Sequence, residues 1–209
     1  MNHDLRKVTY DIISEFEKNK SQLKLTRDRI INKADFSSSD KSRITVSTNE
    51  VVKLRKKIDY YISTNLKKSI SKLDKRILNV LRIGYYEILF DAKIPIYASV
   101  DYWVQFTKIR FGRLKAGFCN AILRKARKVK INSNKNFKNL SIFFSYPEWL
   151  VQKWENQFGV EQTIKLLKYF NLPPRYFLRI PKNKKISSSL IIYKNLKIQN
   201  KESNFFRIE

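Results

Sequence analysis

The sequence predicts a mainly α-helical protein, a helical bundle followed by the start of a small α/β unit. Three observations carry that prediction. Glycine and proline number only 4 and 5 in 209 residues, so helix breakers are few and long helices with short connections are expected. Apolar residues recur at spacings of three and four through most of the chain before Pro173. After Pro173-Pro174 the pattern changes to short strand-like runs.

Taken in order, residues 4–18 place Leu5, Val8, Ile12, Ile13 and Phe16 at helical spacing. The segment Phe36-Ser37-Ser38-Ser39-Asp40 offers polar caps for a following helix. Residues 43–70 are helical in period but polar, with Val51, Val52, Leu54, Ile58, Tyr61, Ile62 and Leu66 on the side to be buried. Residues 74–90 read as the strongest core helix: Asp74 can cap it, and Ile77, Leu78, Leu81, Tyr85, Ile88 and Leu89 repeat in register. Gly84 falls in its middle, where glycine costs about 1 kcal/mol relative to alanine, which points to close approach of another helix backbone. A helix from Ser99 to Ile109 turns Val100, Trp103, Val104 and Phe106 inward and stops at Phe111-Gly112. The next runs from Arg113 to Lys130, with Leu114, Phe118, Ala121, Ile122, Ala126 and Val129 on its apolar face. Asn132 to Asn139 is a polar break. Pro147 suits a helix first turn; Leu150, Trp154 and Phe158 line one side of that helix, and Gly159 closes it. A short helix over 161–170 precedes Asn171-Leu172-Pro173-Pro174, and Tyr176–Ile180 and Phe205–Ile208 read as strands, with the apolar run Leu190–Tyr193 between them.

Charge is the second signal. With 44 Lys+Arg against 18 Asp+Glu, the formal charge is +26, a field that attracts polyanions. From Tyr102 to Pro147 there are eleven Lys and Arg and no Asp or Glu. Nucleic acid is the expected partner, with acidic proteins or a membrane surface as the other polyanionic classes. A hydrophobic fraction of 43% with 14 Phe and 11 Tyr is enough for a real core, of a size that suits one domain of about 150 residues with an appendage. No run of eighteen apolar residues exists, and the N-terminus lacks the apolar stretch of a signal peptide, so a cytoplasmic location without membrane insertion is expected.

Enzyme signatures are missing. Gly84, Gly112, Gly117 and Gly159 are too dispersed for a phosphate-binding loop. His3 is the single histidine and Cys119 the single cysteine, which excludes an internal disulfide and a Cys/His zinc set. Cys119 sits beside a core position with no base nearby and reads as a small buried residue. Glu87 and Asp91 share a helix face and read as solvated groups, or Asp91 as the helix end, rather than as a catalytic pair. No catalytic residue and no metal ligand is assigned.

Several segments together resemble one family. Leu81-Arg82-Ile83-Gly84-Tyr85-Tyr86-Glu87-Ile88-Leu89-Phe90, Ile94-Pro95-Ile96-Tyr97-Ala98-Ser99-Val100 and Gly117-Phe118-Cys119-Asn120-Ala121-Ile122-Leu123-Arg124 resemble the last helices of NusB-like RNA-binding domains. Ser145-Tyr146-Pro147-Glu148-Trp149-Leu150 and Asn171-Leu172-Pro173-Pro174-Arg175-Tyr176-Phe177-Leu178-Arg179-Ile180 resemble the linker of RsmB-type (Sun family) 16S rRNA cytosine-C5 methyltransferases. The resemblance covers nearly the whole chain. It implies a NusB-like RNA-binding domain over 1–140, a helical linker over 141–174 and an incomplete RRM-like subdomain over 175–209. In that family a further Rossmann-like domain binds S-adenosylmethionine and carries the catalytic cysteines. Its Gly-rich loop and Pro-Cys motif have no counterpart in these residues, so no cofactor is expected in this chain. Where the family has a Gly-x-x-Arg element, this sequence reads Glu50-Val51-Val52-Lys53.

The resulting expectation is an RNA-binding module, with 16S rRNA as the partner that the resemblance implies, belonging to a methyltransferase whose catalytic domain lies outside this chain. The alternative is a stand-alone NusB-like antitermination or protein-interaction module with a protein partner. Candidate phosphate contacts are Arg113, Lys115, Arg124, Lys125, Arg127 and Lys128, supplemented by Arg6 and Lys7 and by Lys53, Arg55, Lys56 and Lys57.

Overall fold

The computed structural model describes residues 4–19, 22–128 and 136–172, together with the backbone of three strands at 176–179, 196–198 and 205–208. His3, Val129, Lys130, the positions 132–135, Pro173, Pro174, Arg175, Ile180 and the run Leu190–Tyr193 lie outside the described residues. The chain divides into two compact units, Met1–Val160 and Glu161–Glu209.

Nine helices are described: α1 Leu5–Asn19, α2 Leu23–Ile31, α3 Ser38–Lys53, α4 Arg55–Ser63, α5 Lys75–Phe90, α6 Ile96–Phe111, α7 Arg113–Leu123, α8 Phe137–Phe144 and α9 Glu148–Asn171. The expected mainly helical class holds, and the strands follow the helices in the chain. The second unit carries β1 Tyr176–Arg179, β2 Leu196–Ile198 and β3 Phe205–Ile208. They form an antiparallel sheet in the order β1-β3-β2, with Tyr176 and Leu196 each opposite Ile208.

α5 is the axis of the first unit. Its sequence offers no polar face, and every residue from Ile77 to Glu87 is buried. α1, α4, α6 and α7 pack around it, closing a core that includes Ile13, Ile62, Leu81, Tyr85, Trp103 and Leu123. Asp74 caps α5 as expected, its carboxylate accepting from the Arg76 amide at 3.0 Å. A second cluster, Ile12, Ile31, Phe36 and Ile44, joins α1, α2 and α3.

A helix buried on all sides must satisfy its own charges internally. Arg82 Nε and Nη2 each donate to Asp59 of α4 at 2.7 Å, and Nη1 donates to Glu17 of α1 at 3.0 Å. Glu87 accepts from Arg6 Nε of α1 and from Trp103 Nε1 of α6, both at 3.1 Å. The sequence reading of Glu87 as solvated is therefore corrected: it is 4% exposed, and burial pushes its carboxyl up although Arg6 opposes this. Asp91 is the C-terminal cap of α5.

Gly84 permits close approach, but of side chains rather than a backbone. A Cβ there would stand 2.6 Å from Leu123 Cδ2 of α7 and 3.4 Å from Trp103 Cδ1.

Several boundaries differ from expectation for local reasons. The helix expected over 43–70 breaks at Leu54, which closes α3 and opens α4, and α4 ends at Ser63. α2 was not anticipated: it buries Thr26, Arg27 and Ile31, a face too polar to register as a stripe. α6 begins at Ile96, where Ile96 and Tyr97 are exposed and give no inward signal. α7 stops at Leu123, well short of Lys130, because beyond it Arg124-Lys125-Ala126-Arg127-Lys128 has only Ala126 to pack. On α7 the buried face is Ala116, Cys119, Ile122 and Leu123; Leu114 is 93% exposed and Ala121 is exposed, so neither is the core residue expected.

α8 lies where a polar break was read as far as Asn139. Asn136 caps it, and it buries Leu140, Ser141 and Phe144. It ends on Ser145 in the left-handed region (φ 62), whose hydroxyl accepts from the Lys56 amide at 3.1 Å in the first turn of α4. α9 turns through a non-helical Gly159 (φ 74), the break that the sequence places there. In its first half Val151 is buried, Leu150 and Trp154 are half-buried, and Phe158 is exposed.

Two stability outcomes are expected. Gly84→Ala lowers stability by about 1–2 kcal/mol, because overpacking outweighs the helix-propensity gain, and on a Leu123→Ala background the same change stabilises. Arg82→Met, which removes the buried cation between Asp59 and Glu17 and leaves them only the more exposed Arg55, costs about 3 kcal/mol. Urea unfolding of the single and double variants measures both.

Candidate nucleic-acid interface

The twelve candidate cations fall into two groups. Six are held by carboxylates. Arg6 pairs with Glu87 at 3.1 Å, and its guanidinium lies 4.8 Å from the Tyr102 ring centre. Lys7 pairs with Asp11 at 2.8 Å, Lys53 with Glu50 at 3.4 Å and Arg55 with Glu17 at 2.8 Å. Lys56 meets Glu148 at 2.8 Å, fastening the start of α9 to α4, and Lys115 meets Asp74 at 2.9 Å, fastening α7 to the cap of α5. An added anion would have to compete with these carboxylates for each cation.

The other six, Lys57, Arg113, Arg124, Lys125, Arg127 and Lys128, make no ion pair with a carboxylate among the described residues. Arg124, Lys125, Arg127 and Lys128 are exposed and flank Ala126 at the end of α7. Their charge also complements the negative end of that helix. Arg124 Nε donates to Asn120 Oδ1 at 2.9 Å. Arg113 stands at the opposite end of α7, roughly 15 Å away at 1.5 Å per residue, so it is not brought together with them.

Lys57 joins the group from α4. Burial, and then the charge of Lys128, lower its pKa. Its ammonium lies 4.4 Å from the centre of the Phe143 ring on α8, and the Lys128 ammonium lies 5.5 Å from that of Phe90 at the end of α5. Phe90 in turn stacks on Tyr61, one turn along α4 from Lys57, at 6.4 Å. Phe143 was missed in the sequence. The available signal was the pair Phe143-Phe144: a helix with one buried face cannot bury both neighbours, and here Phe144 is 9% exposed and Phe143 48%.

Cys119 is fully buried, Thr107 Oγ1 donates to its sulfur at 3.7 Å, and burial pushes the thiol up to about 11, the inert core residue expected. Among the described residues no cluster of His, Cys, Asp and Glu could hold a metal, and no helix is long and apolar enough to cross a membrane. A groove of about 880 Å³ beside α6 is lined by Ile96, Tyr97, Val100, Val104, Asn120 and Arg124 with Asp101. The described residues do not fit S-adenosylmethionine: Gly84 is packed inside the bundle, Gly112 and Gly159 turn helix ends, and Gly117 lies within α7, so no glycine loop opens onto a cavity.

A bundle wrapped round one buried helix, with unpaired cations gathered at one end, defines a basic all-helical module. The chain belongs to the NusB family, whose model matches residues 3–128. Over 191 residues it is 24% identical to the probable ribosomal RNA small subunit methyltransferase B of Bacillus subtilis, which covers 90% of this chain and 42% of that protein. Over 73 residues it is 41% identical to the transcription antitermination protein NusB of Thermotoga petrophila, which covers 34% of this chain and 51% of that one. The crystal structure of PH0851 shares the fold with a TM-score of 0.64 at 15% identity, over 100% of this chain and 49% of that chain. The chain spans about two fifths of the length of the curated methyltransferases it matches, and the RsmB-type resemblance extends over nearly all of it.

One pH effect follows from the Lys115 contact. Hydrogen bonds from Arg76 first, then Lys115, hold the Asp74 carboxyl well below its ordinary 3.8. A carboxyl depressed in the folded state stabilises it above the unfolded value, and that contribution is lost as pH falls below about 3.8. Asp74→Asn is expected to be less stable at neutral pH and to lose stability less steeply below pH 4. Acid titration of both proteins by circular dichroism measures the two slopes.

Proposed function

We propose that the chain is an RNA-binding module that brings ribosomal RNA to a methyltransferase of the RsmB type. The observation that carries this reading is the gathering of Lys57, Arg124, Lys125, Arg127 and Lys128 without carboxylate partners, in a chain whose other candidate cations, Arg113 apart, are ion-paired. Cations left without counter-ions hold an atmosphere of small anions, and release of counter-ions from the nucleic acid drives their binding to phosphate. The name of the relative matched over most of the chain supports small-subunit rRNA as the RNA, a partner that a cytoplasmic protein would meet. In this reading 1–140 binds RNA, 141–174 is a linker that starts against α4 through Ser145 and Glu148, and 175–209 opens a second subdomain. Arg6, Lys7, Lys53, Arg55, Lys56 and Lys115 contribute less, because an RNA phosphate must displace a carboxylate from each of them.

Five clustered contacts predict a slope of log affinity against log salt of about −3.5 to −4.5. Arg124→Glu, Arg127→Glu and Lys128→Glu together are expected to weaken binding of a 16S rRNA fragment at least a hundredfold while the helical circular-dichroism signal persists. Filter binding across a salt series measures both quantities. Unchanged affinity in the triple variant, or a flat salt response of the parent chain, contradicts the reading.

A further inference from the structure

We propose that Lys57, Lys128 and Phe143 form a binding position for one unpaired nucleotide, in which the two ammonium groups take a backbone phosphate and the Phe143 ring takes the adjoining base. The inference rests on the RNA-binding reading and deepens it, because it names the side chains that hold one nucleotide and the part that each of them takes.

Three observations meet at this place. First, Lys57 of α4 lies over the Phe143 ring and Lys128 over the Phe90 ring, neither with a carboxylate partner among the described residues, and burial first, then the charge of Lys128, disfavours the charged form of Lys57. Like charges held together are unfavourable until an anion arrives between them, and a phosphate relieves the repulsion at both. Second, each ammonium group rests on an aromatic ring: Lys57 lies 4.4 Å from the centre of Phe143 on α8, and Lys128 lies 5.5 Å from that of Phe90 on α5, which stacks on the buried Tyr61 one turn along α4 from Lys57. The rings fix the lysine heads in place, which lowers the ordering cost of binding. Third, Phe143 keeps 48% of its surface open while the core claims its neighbour Phe144. An open ring beside a phosphate-binding pair is the arrangement by which bases are stacked in single-stranded RNA recognition. Bases in a duplex are stacked on one another and cannot reach such a ring, so the site selects unpaired residues. α8 supplies the ring, and the Ser145 hydroxyl on the Lys56 amide sets α8 against α4 in the position this requires.

The test uses the full chain, with fluorescence anisotropy against a short labelled single-stranded RNA and against the same strand annealed to its complement. Phe143→Ala is expected to weaken the single strand about tenfold and the duplex less than twofold. Phe143→Leu, which keeps apolar volume without the ring, is expected to behave the same way and guards against a folding defect. Lys57→Met with Lys128→Met keeps the apolar stems and is expected to reduce the single-strand salt slope by about 1.4. Equal loss on both probes in the Phe143 variants, or an unchanged slope in the lysine variant while the parent chain binds RNA, overturns the site and leaves the RNA-binding reading standing. A parent chain that binds neither probe at low salt overturns that reading and the site together.

Discussion

The structure depends on one constraint: α5 is buried on every side yet carries an arginine and a glutamate. Neither charge can remain without partners in such surroundings. Arg82 reaches its carboxylates on α4 and α1, and Glu87 reaches Arg6 on α1 and the indole of Trp103 on α6. Three neighbouring helices are thus held by directional bonds as well as by apolar packing. α7 is positioned differently, by shape, because the missing side chain at Gly84 makes room for Leu123. Apolar contact alone tolerates sliding, whereas a guanidinium donating to both oxygens of Asp59 fixes the rotation of α4 about its axis. That rotation decides where Lys57 points.

The same constraint sorts the charges on the surface. Carboxylates are scarce, and those of Glu17, Asp59, Asp74, Glu87 and Glu148 join elements to one another. Positive groups near them become structural. Among the candidate cations, those without a carboxylate partner, Arg113 apart, stand at the end of α7 and on α4. A chain of strong net charge can therefore show a local field much more uneven than its composition suggests.

What could be read from sequence follows from how far each signal extends along the chain. The α5 helix, its Asp74 cap, the Gly112 and Gly159 breaks and the inert Cys119 were all legible, since each rests on neighbouring residues or a short repeat. The early end of α7 was not, because Arg124 to Lys128, with Ala126 among them, continue a helical period without a face to bury. α2 and α8 were missed because one buries threonine and arginine and the other hides in an asparagine-rich stretch. Among the candidate cations, composition could not separate paired from unpaired: the partners of Arg6 and Lys56 lie 81 and 92 positions away. The charges inside Leu81-Arg82-Ile83-Gly84-Tyr85-Tyr86-Glu87-Ile88 did carry a readable sign, since a helix without a polar face must pair them internally.

The central claim is that RNA lies across the end of α7 and the adjoining face of α4. Ultraviolet crosslinking of the full chain to a 16S rRNA fragment, followed by mass spectrometry of the crosslinked peptides, tests it most directly. The account places the crosslinks in peptides holding Lys57, Arg124 to Lys128 and Phe143. Crosslinks confined to α1 around Arg6 and Lys7, or to the α6 groove at Ile96 and Tyr97, would contradict it.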